Sequence, residues 1–155
     1  MRKIMPFQGG FTLLEVLLVV AVLVIIATVG RDFYGSFVSG AQIEANAKTI
    51  IYDLRNTRDK AMNGQEDRNW GIHFKNDVSD YYEVFSTPSN YSDQAKTILV
   101  TSYLKNGISF SLPTEGANTD IIFSKISGTT TIANINIKAG LTEKTISIND
   151  QGLIN

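Results

Sequence analysis

Glu15 is the only ionisable side chain between Lys3 and Arg31, and its surroundings set the chemistry this chain can perform. It lies four residues after Phe11, one helical turn away, so the two occupy similar faces of a helix. Phe11 to Val29 is a run of 19 residues dominated by Leu, Val and Ile. As a helix it would cover about 28 Å, close to the thickness of a bilayer's hydrocarbon core. An acid in such a segment costs on the order of 2.5–3.5 kcal/mol near the centre and less near an end, so it needs a partner. If the chain were cut after Gly10, the apolar run would stay attached and its new N-terminus at Phe11 would be an ammonium, which is such a partner. In an assembly, the Glu15 carboxylate of one subunit can pair with the Phe11 amine of its neighbour, where low dielectric makes a matched pair strongly attractive. The plainer alternative is a single-pass anchor that never polymerises and carries an incidental glutamate.

The other candidates for chemistry are weaker. His73 is the only histidine and there is no cysteine, so a thiolate metal site is impossible and a transition-metal site is not expected. Its strand neighbours suggest a solvent-facing residue rather than a catalytic one. Asn76, Asp77 and Asp80 could gather round calcium, but the spaced acidic series of a calcium loop is missing and a polar turn is expected. No glycine-rich phosphate loop is present, and no carboxylate pair stands out. Arg55, Arg58, Lys60 and Arg68 are the one basic cluster that could meet DNA. Asp53, Asp59, Glu66 and Asp67 lie among them, so a salt-bridged, solvated face is the better expectation. Arg58 has a second option, with its stem packed on the buried helix face and its head bonded to a carboxylate or carbonyl. Neither an enzyme nor a cofactor is expected.

The elements that must position these residues follow from patterning. Lys plus Arg number 14 against 15 Asp plus Glu, a formal charge of -1, which gives no general attraction to nucleic acid or anionic lipid. Arg2 and Lys3 make a short basic leader, yet Gly9-Gly10 precedes the apolar run instead of following it, unlike an ordinary secretory signal. The same two charges favour a cytoplasmic N-terminus with the rest of the chain outside. Gly30, Gly35 and Gly40 follow the run at five-residue intervals and permit either a bend or close helix packing. From Ala41 the pattern turns amphipathic: Ile43, Ala47, Ile50, Ile51, Leu54, Ala61 and Met62 share a face, and Asn63-Gly64 supplies the stop. Beyond it lie short strands. Trp70, Ile72 and Phe74 alternate with Gly71, His73 and Lys75 as a half-buried strand. Further strands are expected at 81–85, 97–103, 108–112, 120–126, 130–138 and 144–149, with a polar exposed loop over 87–94 and turns at Asn106-Gly107 and Ser127-Gly128. Trp70, Tyr81, Tyr82 and Phe85 read as core or sheet surface. Their regular spacing favours antiparallel meanders.

The segment Gly10-Phe11-Thr12-Leu13-Leu14-Glu15-Val16-Leu17-Leu18-Val19 resembles the cleavage and methylation motif of type IV pilins and type II secretion pseudopilins. The resemblance implies a prepilin peptidase that cuts after Gly10 and N-methylates Phe11, with Glu15 as the acid that pairs between subunits. One departure is Gln8-Gly9, where the family often carries a basic residue. It further implies an α+β, pilin-like fold: a leader over 1–10, a transmembrane helix over 11–30, its amphipathic continuation over 31–63, and an extracytoplasmic antiparallel β domain over 64–155. The expected partners are the prepilin peptidase, other pilins in a filament, an inner-membrane assembly platform and membrane lipid, with nucleic acid disfavoured. The text Asp53–Ala61 followed by Gly71-Ile72-His73-Phe74, with the ending Ile146–Ile154, resembles the H-type minor pseudopilins and related minor pilins. Some minor pilins of this kind bind DNA for uptake, which is the alternative function.

Overall fold

A computed structural model describes residues 10–105 and 107–155, in two compact units, Met1–Val38 and Ser39–Asn155. The expected leader over 1–10 therefore lies outside the described residues except for Gly10, and so does Asn106 of the expected Asn106-Gly107 turn. The fold class is α+β. One helix, α1, spans Leu13–Met62, and a single 3-10 turn at Gln65–Asp67 follows it. Seven strands come next: β1 (Asn69–Lys75), β2 (Tyr81–Thr87), β3 (Thr97–Tyr103), β4 (Ser109–Leu112), β5 (Asn118–Phe123), β6 (Ala133–Ala139) and β7 (Thr142–Ile148). The α1 assignment passes through Gly30, Gly35 and Gly40.

In the first unit, every described large apolar side chain from Phe11 to Ile26 is at least 45 % exposed. Side chains 29–34 and Ser36 lie outside the described ones. Among the described residues, no helix is long and apolar enough to cross a membrane.

In the second unit, Ile43, Ala47, Ile50, Leu54, Thr57 and Ala61 are buried at alternating spacings of four and three, the signature of one helix face. Met62, expected on that face, is exposed instead. The helix stops where the sequence says it should. Gly64 adopts φ 63, and its N–H donates to the Ala61 carbonyl, an end that glycine makes inexpensive. The helix face shares one core with Trp70, Ile72, Phe74, Phe110, Ile121, Phe123, Ile135, Ile137 and Ile146.

The strands form two antiparallel sheets, ordered β3-β2-β1-β5 and β4-β6-β7. The first three strands make the expected meander. β5 then returns to pair with β1, after the chain has placed β4 in the second sheet. Two strands begin or end away from their expected limits for reasons the hydrogen bonds supply. β5 stops at Phe123 because the Lys125 N–H turns to Asn69 Oδ1 and the Ile126 N–H to the Ala61 carbonyl. β6 starts only at Ala133, Thr130 having given its N–H to the Asp150 carbonyl.

β1 is not half-buried. All five residues from Trp70 to Phe74 are buried, and His73, expected to face solvent, is 4 % exposed. The cause is the segment after β2, which crosses the sheet's outer face instead of standing off as a loop. Tyr91 lies flat on His73, with ring centroids 3.7 Å apart and planes within 1°. It also meets Phe85 edge-on at 5.0 Å. Gly71 makes room for that arrangement, since a β-carbon there would stand 2.8 Å from the Phe85 ring and 2.7 Å from the Ile121 carbonyl.

Candidate functional site at the helix N-terminus

Gly10 and Phe11 precede the helix, and Phe11 is 83 % exposed. The peptide bond between them lies in uncovered chain immediately before the helix. Thr12 is the helix cap. Its Oγ1 accepts the Glu15 N–H at 3.2 Å, and its carbonyl accepts the N–H groups of Glu15 and Val16 at 3.1 and 3.2 Å. Thr12 and Glu15 thus stand at the spacing of a capping box, Ser or Thr followed three residues later by Glu or Gln. Glu15 lies in the first turn of α1, where a carboxylate gains about 0.3–1 kcal/mol from the helix dipole. This second role for Thr12-Leu13-Leu14-Glu15 was legible in the spacing, but the sequence reading passed over it. The arrangement holds one carboxylate at the start of an apolar helix and leaves it next to the position where cleavage would create an ammonium.

Residues 5–30 match the family model of the prokaryotic N-terminal methylation motif. The match supports the type IV pilin and pseudopilin family, points to a structural subunit, and implies processing by a prepilin peptidase and assembly with other pilins. The methylation motif spans Gly10, Phe11 and Glu15 and stops before the sheets begin. No curated protein and no solved structure matches the chain.

The basic cluster is spent on the protein itself, mainly on carbonyls and not on the acids expected to pair with it. Arg55 donates to the Ile154 carbonyl at 3.1 Å. Arg58 donates to the carbonyls of Gly128 at 3.4 Å and Gln151 at 3.0 Å. Arg68 reaches the Ala95 carbonyl at 2.7 Å, and Lys60 lies 4.8 Å above the Trp70 ring. Asp53 accepts from the Tyr82 hydroxyl at 2.6 Å, and Asp67 pairs with Lys125 at 2.7 Å. The four cations are therefore distributed over separate contacts rather than aimed together at a ligand.

His73 is held in a polar cluster. Its Nδ1 is 2.5 Å from Asp120 Oδ1, and the stacked Tyr91 donates its hydroxyl to Glu83 at 2.6 Å. Burial first, and then that bond to Glu83, push the Tyr91 phenol well above its usual range. The stacked Tyr91 ring covers the histidine, and both are bonded to carboxylates of the sheet, so the cluster reads as a clasp on the sheet. Asn76 and Asp80 are likewise structural. Asn76 donates to the carbonyls of Phe110 and Pro113, and Asp80 accepts from the N–H groups of Asp77 and Phe110. Among the described residues no cluster of three metal-ligating side chains occurs.

Proposed function

We propose that the chain is a minor pseudopilin or pilin precursor. A prepilin peptidase cuts it between Gly10 and Phe11 and N-methylates Phe11, and the mature subunit joins a type II secretion pseudopilus or a type IV pilus. The N-terminus stays cytoplasmic, residues 11–30 cross the inner membrane, and the sheet domain stands outside. The methylation motif carries this reading, and the exposed apolar stem supports it. Thirteen large apolar side chains from Phe11 to Ile26 are uncovered. At about 1.5–3 kcal/mol each when buried, they favour lipid or a helical bundle by on the order of 20–40 kcal/mol.

Glu15 then serves twice. Its charge favours the first turn of its own subunit's helix and neutralises the Phe11 ammonium of the next, which sets axial register while the apolar stems supply the bulk packing. The H-type subgroup and a role in protein secretion rest on the helix text Asp53–Ala61 and the closing hairpin, whose Ser147 and Asn155 exchange N–H to carbonyl bonds at 3.0 Å. DNA binding is set aside because Arg55, Arg58, Lys60 and Arg68 are already engaged.

Mass spectrometry of the N-terminus, on protein from cells containing the peptidase, tests the reading. A chain that starts at N-methyl-Phe11 supports it. An intact Met1, or a start beyond Val29, overturns it.

A further inference from the structure

The four-stranded sheet has two open edges, and they match each other. Among the described residues, no backbone hydrogen bond runs outward from β3 or from β5 to another segment. β3 is exposed along nearly its whole length, including Leu99, Val100 and Tyr103. It carries no charge from Thr97 to Tyr103. Exposed edges are usually guarded by charge, proline or shortness, and this one has none of these.

Direction and register both point to the occupant. β3 and β1 each run antiparallel to β2, and β5 runs antiparallel to β1. β3 and β5 therefore run in opposite directions. A second copy in the same orientation brings its β5 beside β3 antiparallel, without inversion. Face assignment then fixes register to steps of two. Thr101 lies on the outer face, bonded to Glu83, and Asp120 lies on the same face, beside His73. Setting Thr101 opposite the second copy's Asp120 places Tyr103 opposite Asn118, Ser102 opposite Thr119, Val100 opposite Ile121, and Leu99 opposite Ile122. Polar meets polar or apolar meets apolar in four of the five pairs, and in the fifth the amphipathic Tyr103 sets its hydroxyl-bearing ring against Asn118. A shift of two either way sets Leu99 against Asp120 or Ser102 against Ile121. The pairing ends at Leu99 because β3 has a bulge there, its register with β2 slipping between Val84 and Phe85.

We infer that a second copy of this chain docks its β5 on β3, extending the four-stranded sheet from subunit to subunit. The contact is head-to-tail and so propagates instead of closing. It rests on the filament reading above, to which it adds a contact between sheet domains.

The absence of cysteine makes the test clean. Opposed residues of an antiparallel pair have Cα atoms about 4.5–5.5 Å apart, within the range of about 4.4–6.8 Å that a disulfide spans. Inside one chain β3 and β5 are three strand spacings apart, about 14 Å, too far to bridge. Full-length chains carrying Tyr103→Cys or Asn118→Cys, both at exposed positions, are expressed with the peptidase and oxidised in the membrane. The two variants together are expected to yield a dimer that neither gives alone, and one chain carrying both a ladder of multimers. Tyr103→Cys with Ile122→Cys is expected to stay monomeric. A dimer from Tyr103→Cys alone without the mixed species, or no cross-link at all, overturns the inference. The mature N-terminus is read from the same sample. N-methyl-Phe11 without the cross-link removes this contact and leaves the proposed function standing, whereas an uncut Met1 removes the function itself.

Discussion

Gly152→Ala measures how much the fold depends on the joint between the helix and the closing hairpin. Gly152 has φ +71, and a β-carbon built on it would stand 2.2 Å from the Gly128 carbonyl and 2.8 Å from Arg58 Nε. Two costs follow. The left-handed backbone costs a non-glycine residue about 1–2 kcal/mol. The overlap is with a backbone oxygen, so the hairpin must move, and Arg58 loses one or both of its bonds to Gly128 and Gln151. A hydrogen bond from a charged donor is worth about 1.5–3 kcal/mol, so with one bond lost the total is about 2.5–5 kcal/mol, a large share of a domain's stability. Gly140→Ala is the control. It has φ +60 and nothing within 4 Å of the added carbon, so it is expected to cost only the about 1–2 kcal/mol of the backbone. Trp70, the single tryptophan and fully buried, reports unfolding by its fluorescence during urea titration of the full chain in non-ionic detergent. Equal losses in the two variants would refute the argument, since the steric joint would then contribute nothing.

Two further outcomes bear on the helix start and on the strap. Glu15→Gln keeps the capping-box chemistry but removes the charge, whereas Glu15→Ala removes both. If the carboxylate pairs with the Phe11 ammonium, both variants insert in the membrane and neither assembles into filaments; filaments from Glu15→Gln would reduce Glu15 to a cap. Asp93 holds the strap after β2, and its carboxyl is lowered below the ordinary aspartate value of 3.8, chiefly by the Ala95 N–H and then by the Ser89 hydroxyl. A lowered folded-state pKa contributes stability above the unfolded value that is lost as pH falls through the folded one. The protection of the Ala95 amide, relative to its intrinsic exchange rate at each pH, is therefore expected to fall below about pH 3.8 while Trp70 stays buried. Unchanged protection at pH 3 would count against that role for Asp93.

The parts of the molecule that were legible in the sequence are those governed by short-range periodicity. Ile43, Ala47, Ile50 and Leu54 announce a helix face, Asn63-Gly64 ends it, and β3 coincides with its expected limits at 97–103. Residues whose partners lie far along the chain were not legible. His73 alternates correctly with Ile72 and Phe74 on a strand, and period alone makes it the solvent side. What buries it is Tyr91, from a segment whose Pro88, Ser89, Asn90 and Asp93 give it the composition of an exposed loop. The basic cluster was legible only in part. Arg58 takes the second option its helix position offered, a bonded head on carbonyls, but Arg55 was expected among salt bridges and instead meets the Ile154 carbonyl 99 positions away, and no sequence signature says which carbonyl an arginine will find.

The strap also bears on why this sheet can leave its edges open. A strand with one buried face has its register fixed by that face, and one with two polar faces does not. Here the outer face holds His73, Glu83, Thr101 and Asp120 in fixed bonds beneath Tyr91, while the inner face is locked by Trp70, Ile72 and Phe74 against the helix. With both faces committed, a partner strand at β3 has its in-out alternation dictated before it arrives. A slip of one residue would set the inward Val100 against the partner's outward Asp120, or the outward Thr101 against its inward Ile121. Loosening the strap therefore weakens the specificity of the edge before it weakens the core. Asp93→Ala, placed in the Tyr103→Cys and Asn118→Cys pair, is expected to blur the cross-link into neighbouring registers, so that Tyr103→Cys begins to capture a cysteine at Asp120 as well. Retention of a single register in that background would show that the sheet's inner face alone fixes the alignment.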